Sequence, residues 1–354
     1  MSVQKNIFFS LTVFLILLGA LEISARIFQF SRGRNIQDSI FTPVYRHYYF
    51  LGPAFKPSSE VDWDSTQSMK INSYGFRGNE MTIEKPPNTF RILTFGGSTS
   101  HSSNYPEKLS DLLQADNNKI RYGNVEIINA AVPGWNTTQS LIQFITRGLY
   151  LNPDMIIIYH AINNNSMSDN YWLHSLKEVE YTRYGGFLRN HSQLYAFLYN
   201  RWDRLKRSIK QTMWNRQIQS NVLPEQKKDE SHFSTQVFKK DIEHFIILAG
   251  HYGIKVMLVT MPLNYQSQAP NEEKILRAGY FYKDFENKVA RVQQLNDALK
   301  TLAEKHHVYV ADIANTLFSQ DPENFDDLCH FSKKGAERFA EMIKEHVESI
   351  IMKT

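Results

Sequence analysis

The stretch Arg91-Ile92-Leu93-Thr94-Phe95-Gly96-Gly97-Ser98-Thr99-Ser100 runs from a β-rich apolar segment into two glycines and a serine. Adjacent glycines permit a tight turn that side chains would obstruct. Such a turn puts Ser98 at the carboxyl end of a strand and close to the amino end of a helix. In open α/β sheets ligands bind at that edge, where unpaired backbone N–H groups can hold an anion. Taken alone, the string reads first as a strand-to-helix turn with a serine cap. Its meaning depends on residues far downstream in the chain.

From Arg91 onward a rhythm repeats. Strand-like runs fall at Ile92–Phe95, Val125–Asn129, Met155–Tyr159, Lys255–Thr260 and Val308–Ala311. They are mostly continuous apolar runs, as expected of buried parallel strands. Helix-like segments at Pro106–Ala115, Thr138–Leu149, Thr235–His251 and Phe285–Lys305 separate them, and Ser332–Ile350 closes the chain as an amphipathic helix. Strands alternating with helices predict an α/β domain, residues 90–354, with a parallel sheet covered on both faces. One insertion, at about 166–232, breaks the rhythm and is placed to form a lid or substrate wall. Within it, Phe197–Met213 reads as a basic helix with an apolar stripe, suited to packing in solution or to an anionic membrane surface.

The chain has 354 residues and a formal net charge of +4, too weak a balance to indicate nucleic acid. Cys329 is the single cysteine, so no intramolecular disulfide forms, and no zinc-like Cys/His spacing is present. Ile7 to Leu21 carries no charge, and snorkelling of Lys5 and Arg26 lengthens the span to Ile27 or Phe28. Ile23-Ser24-Ala25 makes a poor cleavage site, so residues 1–30 are expected to be a retained membrane-anchor helix and not a cleaved signal peptide. Residues 31–89 hold five prolines and many aromatics, and read as an irregular stretch packing on the main domain. Within them, Asn72-Ser73-Tyr74-Gly75-Phe76-Arg77-Gly78 reads as a turn with a surface arginine or as a loop near a site mouth.

The chemistry gathers at strand ends. In Asp327-Leu328-Cys329-His330 an aspartate three residues before a histidine can reach Nδ1, which leaves Nε2 to accept a proton. A serine nucleophile needs such a base. Ser98, His330 and Asp327 thus supply nucleophile, base and orienter, with Asp326 a rival for the last role. Gly134, after the second strand, lets a backbone N–H approach a ligand. Asn163, after the third, offers an amide donor for an oxyanion.

The set Gly96-Gly97-Ser98, Gly134, Asn163 and Asp327-x-x-His330 resembles the SGNH hydrolases, or GDSL-type esterases, over about residues 90 to 350. The resemblance implies a flavodoxin-like three-layer α/β/α domain with a five-stranded parallel sheet. It implies that Ser98 N–H, Gly134 N–H and the Asn163 amide form the oxyanion hole, and that no cofactor or metal is used. The stretch at 72–78 resembles a segment preceding this domain in membrane-anchored bacterial members. Two departures stand out: Gly97 replaces the acid of Gly-Asp-Ser, and Ala161-Ile162-Asn163-Asn164 replaces Gly-x-Asn-Asp. The expected activity is hydrolysis of acyl esters, with O-acyl (acetyl) groups on a carbohydrate or cell-envelope polymer as substrate. The alternatives are an O-acyltransferase and a catalytically silent envelope scaffold. The expected partners are the ester substrate and a membrane, with the catalytic domain outside the cytoplasm.

Overall fold

The computed structural model describes residues 3–30, 45–48, 51–64, 67–115, 122–166, 192, 194–195, 197–198, 201–202, 205, 230–265 and 285–352. Most of the insertion expected at 166–232, including much of the basic segment 197–213, lies outside them. The chain divides into two compact units, Met1–Arg46 with Tyr171–Lys227, and His47–Asn170 with Lys228–Thr354.

In the first unit, helix α1 spans Val3–Phe30. Its window Lys5–Phe28 is 24 residues long, with mean hydropathy 2.3 and none of it buried. At about 1.5 Å per residue this length matches a bilayer core or a signal sequence. The helix therefore extends well past the uncharged run. Glu22 is tied to Arg26 at 2.9 Å. It also accepts hydrogen bonds from Ser192 Oγ at 2.8 Å and Leu194 N at 2.9 Å.

The second unit carries the sheet. Short strands β1 (Tyr45–Tyr48), β2 (Gly52–Phe55), β3 (Ser59–Asp64) and β4 (Gln67–Ile71) precede it. Here the prolines suggested irregular chain. They do not prevent the strands: Pro53 lies within β2, Pro57 between β2 and β3, and β3 pairs antiparallel with β4. Then come β5 (Thr89–Gly96), β6 (Asn124–Asn129), β7 (Met155–Tyr159), β8 (Lys255–Val259) and β9 (Tyr309–Ala311). They form a five-stranded sheet in the order β6-β5-β7-β8-β9, every pair parallel. The order reverses beside β5, so a crevice opens at its carboxyl end.

Helices cover both faces. Tyr105–Ala115 (α3) and Lys333–Met352 (α7) pack together on one. Thr137–Gln143 (α4), Glu230–His251 (α5) and Phe285–His306 (α6) pack on the other. Side-chain alternation sorts the core between them. Phe95 meets Phe144 and Phe245, with ring centroids 5.7 and 5.4 Å away. Tyr159, paired with Gly96, meets Phe339 at 5.1 Å on the opposite face.

The segment expected as one helix, Thr138–Leu149, is not uniform. After α4 it widens into a π turn, Phe144–Gly148, and tightens at Leu149–Leu151. Gly148 rests on the sheet there: a Cβ would lie 2.9 Å from the Phe144 ring and 3.2 Å from Leu93. Periodicity carries no signature of such a bulge.

At the edge of the sheet away from the crevice, Arg91 is fully buried. Its Nε donates to Glu126 at 2.6 Å, and Nη1 donates to the carbonyls of Ile83 at 2.9 Å and Leu151 at 2.6 Å. Nη2 donates to Thr82 O at 2.9 Å. Removing a buried charge strands its partners and costs about 3–5 kcal/mol. Arg91→Ala is expected to lower the unfolding free energy by about that amount, read as a shifted urea midpoint of the full chain in detergent.

Candidate active site

Each sheet strand ends in a loop at the crevice, and local chemistry shapes each loop. After β5 the backbone turns at Gly96 and Gly97 into a short helix α2, Ser98–Ser103. A Cβ on Gly96 would lie 2.0 Å from Ser100 Oγ and 3.1 Å from the Tyr159 carbonyl. A Cβ on Gly97 would lie 2.4 Å from Asn163 Nδ2 and 3.3 Å from the Trp135 carbonyl. Neither position has room for a side chain, so the chain turns and delivers Ser98.

After β6 the ladder runs on beside β5, with Ala130 N donating to Thr94 O at 2.9 Å and Val132 N to Gly96 O at 3.2 Å. The Val132-Pro133-Gly134-Trp135 turn closes by Trp135 N on Val132 O at 3.1 Å. Gly134 has φ +79°, the left-handed value that the third position of a type II turn requires. After β7, Asn163 donates through Nδ2 to Trp135 O at 2.8 Å. The Asn163 amide and the Gly134 turn thus lie together against Gly97.

The neighbouring Asn164 is fully buried and uses both ends of its amide. Its Oδ1 accepts from Thr137 N at 3.3 Å, and its Nδ2 donates to Thr137 Oγ1 at 2.7 Å. Thr137 Oγ1 in turn donates to Asp241 at 2.7 Å. An aspartate at 164 would lose the donor and face the Asp241 carboxylate. His160, beside this loop, meets Ser140 Oγ at 2.8 Å, and burial lowers its pKa to about 3. It is a neutral core histidine.

The last loop is folded by an aspartate. Phe325 and Phe331 form a bridge, and Asp326 N donates to His330 O at 2.9 Å. Inside it Asp327 Oδ1 accepts from Cys329 N at 2.9 Å and His330 N at 2.8 Å, an Asx turn. Its other oxygen, Oδ2, meets His330 Nδ1 at 2.7 Å. His330 Nε2 lies 2.9 Å from Ser98 Oγ. The carboxylate on Nδ1 is therefore that of Asp327, not Asp326.

Burial opposes ionisation of this pair, and the pair overcomes it. Burial would lower the His330 pKa, but the hydrogen bond it donates to Asp327 raises it above 6.5. Burial would raise that of Asp327, but bonds from the imidazole and two backbone N–H groups hold it below the ordinary range. The Cys329 thiol is pushed up by burial. Asp327, Cys329 and His330 bring ligand-type atoms within 4.8 Å of one another. A neutral thiol and an Nδ1 already held by a carboxylate make a poor metal set. The same atoms suit a serine–histidine–aspartate relay.

Sequence reading missed two supports. Asp241 falls on the apolar face of α5 between Phe238, Ile242 and Phe245, and that misplaced charge was the available signal. Arg77 is not a surface residue but partly buried, with its side chain 9% exposed. It lines, with His330, a cleft of about 1050 Å³.

No protein-family model matches this sequence, and no curated protein matches it. Several solved structures resemble it. A lipase/acylhydrolase from Enterococcus faecalis is 15% identical, with 74% of this chain and 96% of that one covered and a TM-score of 0.44. An acetyl xylan esterase, AlAXEase, is 12% identical, with 73% and 100% covered and a TM-score of 0.45. A GDSL-like lipase from Bacteroides thetaiotaomicron is 11% identical, with 74% and 88% covered and a TM-score of 0.41. Likenesses this distant carry nothing about activity, and the chemistry rests on the residues themselves.

Asp327 holds a proton on the imidazole, so neutralising it must release that proton at lower pH. His330 is expected to titrate above the ordinary imidazole value in ring-proton NMR. In Asp327→Asn its pKa should fall toward 6.5, because burial is then opposed only by Cys329.

Proposed function

We propose that this chain is a serine-dependent ester hydrolase of the SGNH/GDSL type. The observation that carries the reading is the unbroken relay from Ser98 Oγ through His330 to Asp327, with contacts of 2.9 and 2.7 Å. In this reading Ser98 Oγ attacks the ester carbonyl while His330 Nε2 takes its proton. Asp327 holds the tautomer and stabilises the imidazolium. The backbone N–H groups of Ser98 and Gly134 and the Asn163 amide donate to the tetrahedral oxyanion. His330 then gives its proton to the leaving alcohol. In the second half it takes one from water, whose attack on the acyl-enzyme frees the acid and Ser98.

The substrate in this reading is an O-acyl group on a carbohydrate or cell-envelope polymer. The cleft beside His330 supports it, being lined by Asn72, Asn79, Ser102, Ser103, Asn104 and Asn129 among others. Such a wall suits a hydroxylated alcohol better than a lipid chain. Helix α1 is the membrane anchor in the same reading, with the catalytic domain outside the cytoplasm. A reporter fused at Thr354 is expected to be active only outside the cytoplasm, and activity confined to the cytoplasm would overturn that placement.

A fluorophosphonate serine probe is expected to label the full chain and to fail on Ser98→Ala and His330→Ala. Ester turnover should fall about 10⁴-fold or more in both. Gly97→Ala displaces the Asn163 amide without touching the relay. It should keep labelling while turnover drops roughly 10²–10³-fold, the usual loss for one oxyanion donor. A folded wild type that takes no label would sink the hydrolase reading.

A further inference from the structure

Asn72-Ser73-Tyr74-Gly75-Phe76-Arg77-Gly78 folds around one side chain. Asn72 Oδ1 accepts from the N–H groups of Tyr74 and Phe76, both at 3.0 Å. Its Nδ2 donates to Asn79 O at 3.1 Å. The turn so fixed brings Arg77 back as a bridge residue, antiparallel to Ile71 on one side and to Asn129 on the other. Directly opposed residues of an antiparallel pair project to the same side. The Arg77 and Asn129 side chains therefore leave the backbone together, and both line the cleft that reaches His330.

Both present donors that the protein leaves unanswered. The Arg77 side chain is 9% exposed. Its Nη1 donates to the His101 carbonyl, and its Nε lies 3.8 Å from Glu107, too far for a hydrogen bond. Among the described residues no carboxylate comes closer. Glu107 thus faces the guanidinium as an ion pair without a hydrogen bond, and the remaining N–H donors can still take an added anion. Asn129 is 2% exposed. Its Oδ1 accepts from Ala131 N at 3.1 Å, while Nδ2 has no partner among the described residues. Asn104, another lining residue, keeps a buried Oδ1 with no partner among the described residues. The His101 ring beneath stays neutral, since burial and then the Arg77 charge lower its pKa to about 3. The ring thus adds no positive charge of its own near neutral pH.

We propose that Arg77 and Asn129 form a subsite for a carboxylate on the alcohol portion of the ester, which makes the substrate an acyl ester of an acidic sugar. The inference rests on the hydrolase reading for one point only: the alcohol departs past His330, the residue this cleft shares with the relay. The planar guanidinium and the amide N–H offer two donors on one side, matched to the two oxygens of a carboxylate. A space of about 1050 Å³ exceeds what one sugar ring needs, so neighbouring rings of a polymer fit beside it.

The test is binding, because it does not require turnover. The full chain carrying Ser98→Ala, in detergent at low salt, is titrated calorimetrically with a uronic-acid trisaccharide and with the neutral hexose trisaccharide of the same linkage. The acidic ligand is expected to bind about 10-fold tighter, the size of one charge-assisted contact. That advantage should vanish in Arg77→Gln. It should vanish also in Asn129→Asp, which keeps the bond to Ala131 N and turns the free donor into a repelling carboxylate. The second variant preserves the test if loss of the Arg77–His101 bond unsettles α2. Equal affinity for the two ligands, binding of neither, or an acidic preference that survives both substitutions would overturn the subsite. Fluorophosphonate labelling of the wild type reports separately on the hydrolase reading. A chain that labels but shows no acidic preference loses only the subsite, and one that binds the acid but does not label loses only the hydrolysis.

Discussion

A charge sealed from water at Arg91 anchors the frame on which the crevice is built. Its guanidinium joins β5 to Glu126 on β6 and to the carbonyls of Thr82, Ile83 and Leu151. The same residue's N–H donates to Asp154 at 2.7 Å, just before β7. One side chain and one amide therefore hold three adjacent strands in register at their amino ends. Because the strands are parallel, that register propagates to the other edge. It places Gly96 beside Tyr159 and carries the chain after β6 up to the Gly96 carbonyl. The separation of frame and chemistry to opposite ends of β5 lets loops vary without loosening the sheet.

At the carboxyl edge of the sheet the loops support one another in a closed circuit. Gly97 makes room for the Asn163 amide, which holds the Trp135 carbonyl and so the turn at Gly134. Asn164, Thr137 and Asp241 fix the base of that loop to α4 and α5. The histidine arrives on an Asx turn whose aspartate serves twice, through Oδ1 to the backbone and through Oδ2 to the ring. The folding of this loop and the orientation of its base are thus a single event.

The strands and most helices were legible because buried parallel strands leave continuous apolar runs and amphipathic helices leave a period. The candidates Ser98, His330, Asp327, Gly134 and Asn163 could be picked out because short polar motifs recur just beyond those runs. What was hidden depends on contacts distant in sequence. Arg77 looks like a surface residue until the turn after β4 returns it between β4 and β6 as a bridge. The choice between Asp326 and Asp327 needs the curl of one loop. The π turn at Phe144 needs the sheet beneath Gly148. Asn164 in place of an acid makes sense only beside Asp241, whose partners lie about a hundred residues away.

The missing side chain at Gly97 couples three loops. A Cβ there would stand 2.4 Å from Asn163 Nδ2, so a larger residue at 97 has to shift the far end of the Asn163 side chain. That amide also holds the Trp135 carbonyl, and the shift would pass on to the turn at Gly134. A change made in the loop after β5 is therefore felt in the loops after β6 and β7.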